Sequence, residues 1–189
     1  MPSASASLRG LATGTLEAAG LTLDEVLTAR ARGLPLRVVA VLDVSMGADV
    51  VLVRPGIERP DQLRGRRVGV EATATGAVML DALLARHGLK AGELRIVAVP
   101  ADEHEAAWRQ GRVDAVVTYE PVKSRLTTLG GRVLFSSADV PGLIVDVLAV
   151  RESAETTQAP ALREALAAHF AALALWRHEA AAQIGRAHV

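Results

Sequence analysis

An α/β fold of two lobes with mostly parallel sheets is the architecture this sequence predicts, on three observations. Apolar runs of strand length alternate with helical patterns of roughly ten residues, the signature of βαβ units. Glycines stand where those helical patterns stop. A strand-to-helix phrase also occurs twice, as two lobes of similar build would require.

The run LPLRVVAVLD (34–43) predicts a buried strand and ADVVLVRP (48–55) a second. After a turn at IERPDQLRG, RRVGV (66–70) is a third. Residues 75–87 read as a helix with Met79, Leu80, Leu83 and Leu84 on its apolar face and Gly88 as its stop. ELRIVAVP is the next strand, DEHEAAWRQ a short helix ended by Gly111, and VDAVVTY a further strand. In PVKSRLTTL, Val122, Leu126 and Leu129 keep helical spacing between Pro121 in the first turn and Gly130 past the end. RVLFSS and GLIVDVLAV are the last strands. A closing helix carries Leu162, Leu166, Phe170, Leu173 and Trp176 in one stripe.

The repeated phrase is GTLEAAGLTLDE (14–25) and GRVDAVVTYEP (111–121). Each has a glycine, an apolar–acidic–Ala triplet, small apolar residues, a threonine and an acidic residue opening a helix. In the first copy Thr22 and Glu25 fit a capping box, in which hydroxyl and carboxylate satisfy orphan helix donors.

Composition excludes several classes. Lys+Arg and Asp+Glu balance at 21 each over 189 residues, so no charge excess points to nucleic acid or an anionic membrane. Aromatics are 3% of the chain, too few for single-strand stacking platforms. With no cysteine there is no disulfide scaffold, thiolate nucleophile or Cys-ligated zinc, though this does not settle the compartment. No segment approaches the ~18 consecutive apolar residues of a spanning helix. The start shows no basic region followed by an apolar one, so no signal peptide is visible, and both ends read as cut.

Enzyme signatures fail on inspection. His104-Glu105 and His178-Glu179 begin the zinc-protease pattern HExxH, but Trp108 and Ala182 stand where the second histidine belongs. His87 falls in the last turn of a helix, where a positive charge suits the dipole. Asp43 occupies the first glycine position of a nucleophile elbow around Ser45. What remains is a set of polar residues at strand ends, where open α/β sheets bind ligands. Ser45 follows the strand at 34–43. Thr73, Thr75 and Gly76 open a helix, as either an anion site or a simple cap. Tyr119 and Glu120 end a buried strand. They serve either to meet a ligand, or as a ring packed at a lobe edge and a carboxylate favoured by the helix dipole. Asp146 interrupts an apolar strand and needs a partner: a ligand, a hinge hydrogen bond or a salt bridge.

In order and spacing, SMGADVVLVRPGI, DQLRGRRVGVE, LLARHGL, QGRVDAVVTYEP and SSADVPGLIVDVLAV resemble the periplasmic substrate-binding proteins of ABC importers, in the nitrate/sulfonate/taurine and thiamine-precursor branch. The resemblance covers roughly residues 11–183. It implies a periplasmic-binding-protein-like fold of type II, with lobe one at 1–55 plus 137–189 and lobe two at 56–136. Two hinge crossovers, near 51–55 and 136–142, would join them. It places Ser45, Thr73, Thr75, Gly76, Tyr119 and Glu120 in the cleft, with Asp24 a weaker candidate. The implied partners are a small anionic or heterocyclic ligand and a membrane permease, with no cofactor and no nucleic acid. The implied state is a monomer, periplasmic or lipid-anchored outside the cell. Family members begin with an export signal and a further βαβ unit, so the expectation is a fragment or a misplaced start, with an exposed sheet edge. Two other classes resemble the same fold. Pyrimidine-precursor synthases need a cysteine-rich motif this chain lacks, while a lyase would use Glu120 or Asp146 as base. A LysR-type ligand-sensing domain would follow a basic helix-turn-helix, and none is present.

Overall fold

Helical and β-branched runs separate cleanly along the chain. The computed structural model describes residues 4–71 and 74–186. Its elements are α1 (Ala4–Thr13), β1 (Ala18–Thr22), α2 (Leu23–Ala31), β2 (Leu36–Val44), β3 (Val50–Val53), β4 (Arg67–Val70), α3 (Ala74–Arg86) and β5 (Arg95–Ala98). There follow α4 (His104–Arg109), β6 (Ala115–Thr118), α5 (Val122–Thr128), β7 (Arg132–Ser136), β8 (Val145–Arg151), α6 (Glu152–Thr157) and α7 (Ala159–Arg186).

Five strands form one sheet in the order β5-β4-β6-β3-β7, and three form another in the order β1-β8-β2. In the larger sheet β4 pairs parallel with β5 and β6, and β3 pairs antiparallel with β6 and β7. Four strands therefore share a direction and β3 opposes them. In the smaller sheet every neighbouring pair is antiparallel, against the parallel pairing predicted there. The cause is β8, which returns from the larger sheet and inserts between two strands of the other direction.

Alternation builds the larger sheet, because successive strand side chains point to opposite faces. Val51, Val53, Val68, Val70, Ala115 and Val117 meet Met79, Leu80, Leu83 and Leu84 of α3 on one face. Val50, Leu52 and Val116 meet Ala107, Trp108 and Leu126 on the other. Burial on both faces makes β3 a central strand. The first passage between sheets therefore spans 45–49, upstream of the 51–55 expected from the sequence, and the second spans 137–144. The smaller sheet has one core layer, with Leu11, Leu21, Val26, Leu36, Val147 and Ala149 under α1 and α2.

Two sequence readings change. The strand at 34–43 is not buried: β2 is an edge strand, with Val38, Val41 and Val44 at 43%, 52% and 43% exposure. The stripe on α7 is only partly covered, and Phe170 and Trp176 are exposed. Among the described residues no helix is long and apolar enough to cross a membrane.

The repeated phrase has a structural counterpart. Both copies run helix, glycine, strand, helix: α1–Gly14–β1–α2 and α4–Gly111–β6–α5. Gly14 and Gly111 have φ of 76° and 68°, the left-handed conformation that ends a helix without a Cβ penalty.

Asp114 ties the turn before β6 to β4. Its carboxylate accepts from the Arg67 backbone N–H at 2.9 Å and from the guanidinium at 3.0 and 2.7 Å. The guanidinium hydrogen bonds hold its pKa below the usual carboxylate value of 3.8. A depressed pKa contributes stability above the unfolded value and loses it as the pH falls through the folded one. Asp114→Asn is thus expected to lower the urea midpoint at pH 7, with the deficit shrinking below about pH 4. A deficit that stays constant with pH would contradict the ion pair as its source.

Candidate functional site

Three side chains fasten the two passages to each other. Ser45 is buried and donates to Asp49 Oδ2 at 2.5 Å. Ser137, fully buried, accepts the Gly47 N–H at 2.7 Å, and because the Ser45 proton goes to Asp49, the Ser137 hydroxyl donates to Ser45 Oγ at 2.8 Å. The Ser137 N–H donates to the Asp49 carbonyl at 2.9 Å. Helices of the larger sheet grip both passages: Lys123 Nζ donates to the Gly47 carbonyl at 2.9 Å, and Arg86 to the Asp139 carbonyl at 3.0 Å.

So joined, the sheets bring α2 and α3 together at their first turns. The hydroxyl of Thr22, the N-cap of α2, lies 3.0 Å from that of Thr75. Glu25 Oε2 accepts the Thr22 N–H at 3.1 Å, as the capping-box reading expects.

Carboxylates gather beside this contact. Asp146 on β8 pairs in register with Thr22 on one side and Asp43 on the other. Burial pushes its pKa up to about 6, and Asp43, Asp49, Glu25 and Asp24 act in the same direction. Burial likewise raises Asp49 and Glu25 above the ordinary carboxylate range. The buried Oδ2 of Asp24 has no hydrogen-bond partner. None of Asp24, Glu25, Asp43, Asp49 and Asp146 takes part in an ion pair among the described residues, whereas the surface acids Glu93, Glu103, Glu105, Asp114, Glu152 and Glu155 all pair with arginine. Tyr119 is 43% exposed at the end of β6. Burial raises its pKa, with Glu71, Asp49, Glu25 and Asp102 adding to the rise, so its phenol faces acids from both sheets and stays a donor.

Of the residues singled out from the sequence, Thr75 meets Thr22, Asp146 pairs with Thr22 in register and is acted on by Asp24, and Tyr119 ends β6 in the field of Glu71, Asp49 and Glu25. Thr73 lies outside the described residues. Gly76 allows close packing, since a Cβ there would meet the Glu71 carbonyl at 3.0 Å and Val70 Cγ1 at 3.1 Å. The hydroxyl of Ser45 is committed to the passages. Glu120 serves its own helix, accepting the Ser124 N–H at 3.1 Å with Lys123 Nζ at 3.3 Å, and these contacts lower its pKa. Sequence reading passed over Glu25, Asp43 and Asp49 because each sits at a cap, a strand end or a turn, where acids are ordinarily solvated. The one available signal was the spacing of Asp43 and Asp49 around Ser45. Among the described residues no group of three or more His, Asp or Glu is placed to hold a metal ion.

Comparison with known proteins gives a consistent picture. The family model described as NMT1/THI5 like matches residues 2–175. The taurine-binding periplasmic protein of Escherichia coli is 27% identical over 133 residues, covering 70% of this chain and 41% of that protein. Among solved structures, the alkanesulfonate-binding protein SsuA of Xanthomonas axonopodis bound to MOPS superposes with a TM-score of 0.79 at 23% identity, covering 89% of this chain and 59% of that one. The periplasmic aliphatic sulphonate binding protein SsuA of Escherichia coli also gives 0.79, at 24% identity, covering 92% and 60%. A DszB mutant in complex with biphenyl-2-sulfinic acid gives 0.65 at 19% identity, covering 90% and 65%. The chain thus spans less than two thirds of the length of each.

The raised pKa of Asp146 has a defined sign. The folded chain takes up this proton before the unfolded chain does, so the ionised carboxylate works against folding above about pH 6 and the penalty fades toward pH 4. Asp146→Asn is expected to raise the melting temperature at pH 8 and to make no difference near pH 4. Thermal melts of both proteins across that range check it, and a gain independent of pH contradicts it.

Proposed function

The chain belongs to the NMT1/THI5-like family, and from that premise we propose that it is the solute-binding part of an ABC importer. A small molecule is held in the crevice between its two sheets and released unchanged. The supporting observation is the junction of the two sheets: two passages fastened to each other, the Thr22–Thr75 contact between α2 and α3, an exposed Tyr119, and carboxylates of Asp24, Glu25, Asp49 and Asp146 that form no ion pair among the described residues. The lobes take their boundaries from sheet membership, residues 4–44 with 145–186 and residues 50–136. Ligand would stabilise the closed arrangement through contacts to both lobes, and the closed form would be read by a membrane permease. The setting is the periplasm or outer cell face, and the working unit a single chain.

The acids narrow the ligand. A bare anion about 6 Å from one of these carboxylates meets roughly 3 kcal/mol of repulsion at an effective dielectric near 20. An ammonium group gains a similar amount, and the face of Tyr119 adds a cation–π surface. We therefore favour a solute that carries a protonated amine. Taurine, bound by the relative named for it, pairs an ammonium with its sulfonate.

Taurine, ethylamine and ethanesulfonate separate these charges. Thermal shift and calorimetric titration are expected to show stabilisation by taurine, a weaker effect of ethylamine and none from ethanesulfonate. Tyr119→Ala is expected to weaken taurine about tenfold, some 1.4 kcal/mol, without moving the ligand-free melting temperature. Stabilisation by ethanesulfonate alone would overturn the charge assignment, and no response to any of the three the binding role.

A further inference from the structure

We propose that His104 is a positioning residue for Tyr119, acting through the Thr118 hydroxyl to fix the end of β6 at the crevice. The inference rests on the binding role given to Tyr119 above, but its test needs no ligand.

His104 opens α4 and is 1% exposed. Both ring nitrogens have partners: Nε2 lies 3.2 Å from the Val99 carbonyl, and Nδ1 3.0 Å from Thr118 Oγ1. A carbonyl only accepts, so Nε2 carries a proton. Burial lowers the ring pKa, leaving a neutral imidazole with one proton to place. Nδ1 is then bare, and the Thr118 hydroxyl, itself buried, donates to it. The tautomer and the direction of both hydrogen bonds follow from one fixed acceptor.

The placement gives this chain of bonds its role. Val99 directly follows β5 and Thr118 ends β6, with β4 between them in the sheet. The Val99 N–H also donates to the Val70 carbonyl at the end of β4, at 3.0 Å. His104 thus ties the ends of β5 and β6 across β4. That edge of the sheet leads to Glu71 on one strand and Tyr119 on another. Tyr119 follows Thr118 directly, and its carbonyl accepts the Lys123 N–H at 3.0 Å. Successive strand side chains point to opposite faces. Anchoring Thr118 inward on His104 therefore sets the side on which the next ring emerges, toward the acids that raise its pKa. Without that bond Thr118 keeps its pairing with Val50 on β3 but loses the side-chain tie on its other side, loosening the strand end from which Tyr119 emerges.

Tyr119 is the chain's single tyrosine, so 3-fluorotyrosine labelling reports it with one ¹⁹F resonance. Thr118→Ser keeps the hydroxyl and is expected to leave that resonance in place. Thr118→Val removes the donor at equal volume, and His104→Gln replaces the ring. Both are expected to shift or split the signal. A lowered melting temperature in Thr118→Val with an unmoved resonance would show a merely structural bond and overturn the proposal. So would equal shifts in the Ser and Val variants. Should the variants fail to fold, the wild-type ring ¹⁵N spectrum still decides: Nε2 protonated and Nδ1 bare at neutral pH supports the assignment, and a proton on Nδ1 overturns it.

Discussion

The two passages between the sheets, held to each other by Ser45, Asp49 and Ser137, are the constraint on which the rest depends. The first passage has little apolar surface to bury, while the second anchors Ile144 in the core under α3 with Val140 packed beside it. Joined by hydroxyl-to-carboxylate and hydroxyl-to-hydroxyl bonds, they become one stem with a defined path. That stem decides that the first turns of α2 and α3 meet at Thr22 and Thr75, and that acids from separate sheets, Glu25 and Glu71, come within each other's field. The carboxylate of Asp49 belongs to both roles. It receives the Ser45 proton in the stem and adds to the field felt by Tyr119 and Asp146.

The distribution of charge matters more than its total. The chain carries 21 acids and 21 bases, and Asp61, Glu93, Glu103, Glu105, Asp114, Glu152 and Glu155 are answered by arginines. The carboxylates around Asp146 are not. Holding them together costs folding free energy, visible in the pKa rises of Asp146, Asp49 and Glu25, all led by burial. On the proposed reading, a solute that brings positive charge to these carboxylates would relieve that strain most. Under the proposed binding role, such a solute would favour the closed arrangement by its differential contacts with it, as a binding protein that signals occupancy by shape requires.

Much of the larger sheet was legible in the sequence. Its strands are short, buried on both faces and bounded by turns, and α3 shows its apolar face in Met79, Leu80, Leu83 and Leu84. The smaller sheet was less so. β2 has the composition of a buried strand but stands at an edge, and composition cannot report which neighbours a strand has. The run at 48–55 reads as a strand, but the crossover that the resemblance puts near 51–55 lies upstream, at 45–49. At the proposed site, Tyr119 and Asp146 stand out in the sequence because an aromatic ring at a strand end and a carboxylate inside an apolar run both break a local pattern. Glu25, Asp49 and His104 break none. A capping glutamate, a turn aspartate and a histidine at a helix start are ordinary locally, and only tertiary contacts give them a role.

Closure of the two lobes on an amine-bearing solute is most directly tested by distance. Having no cysteine, the chain accepts spin labels at Leu27→Cys on α2 and Asp81→Cys on α3, both exposed and on helices packed against different sheets. Pulsed electron–electron resonance should give a broad distribution for the free protein and a shorter, narrower one with saturating taurine. An unchanged distribution would mean that the sheets form one rigid body and that the crevice does not close on solute.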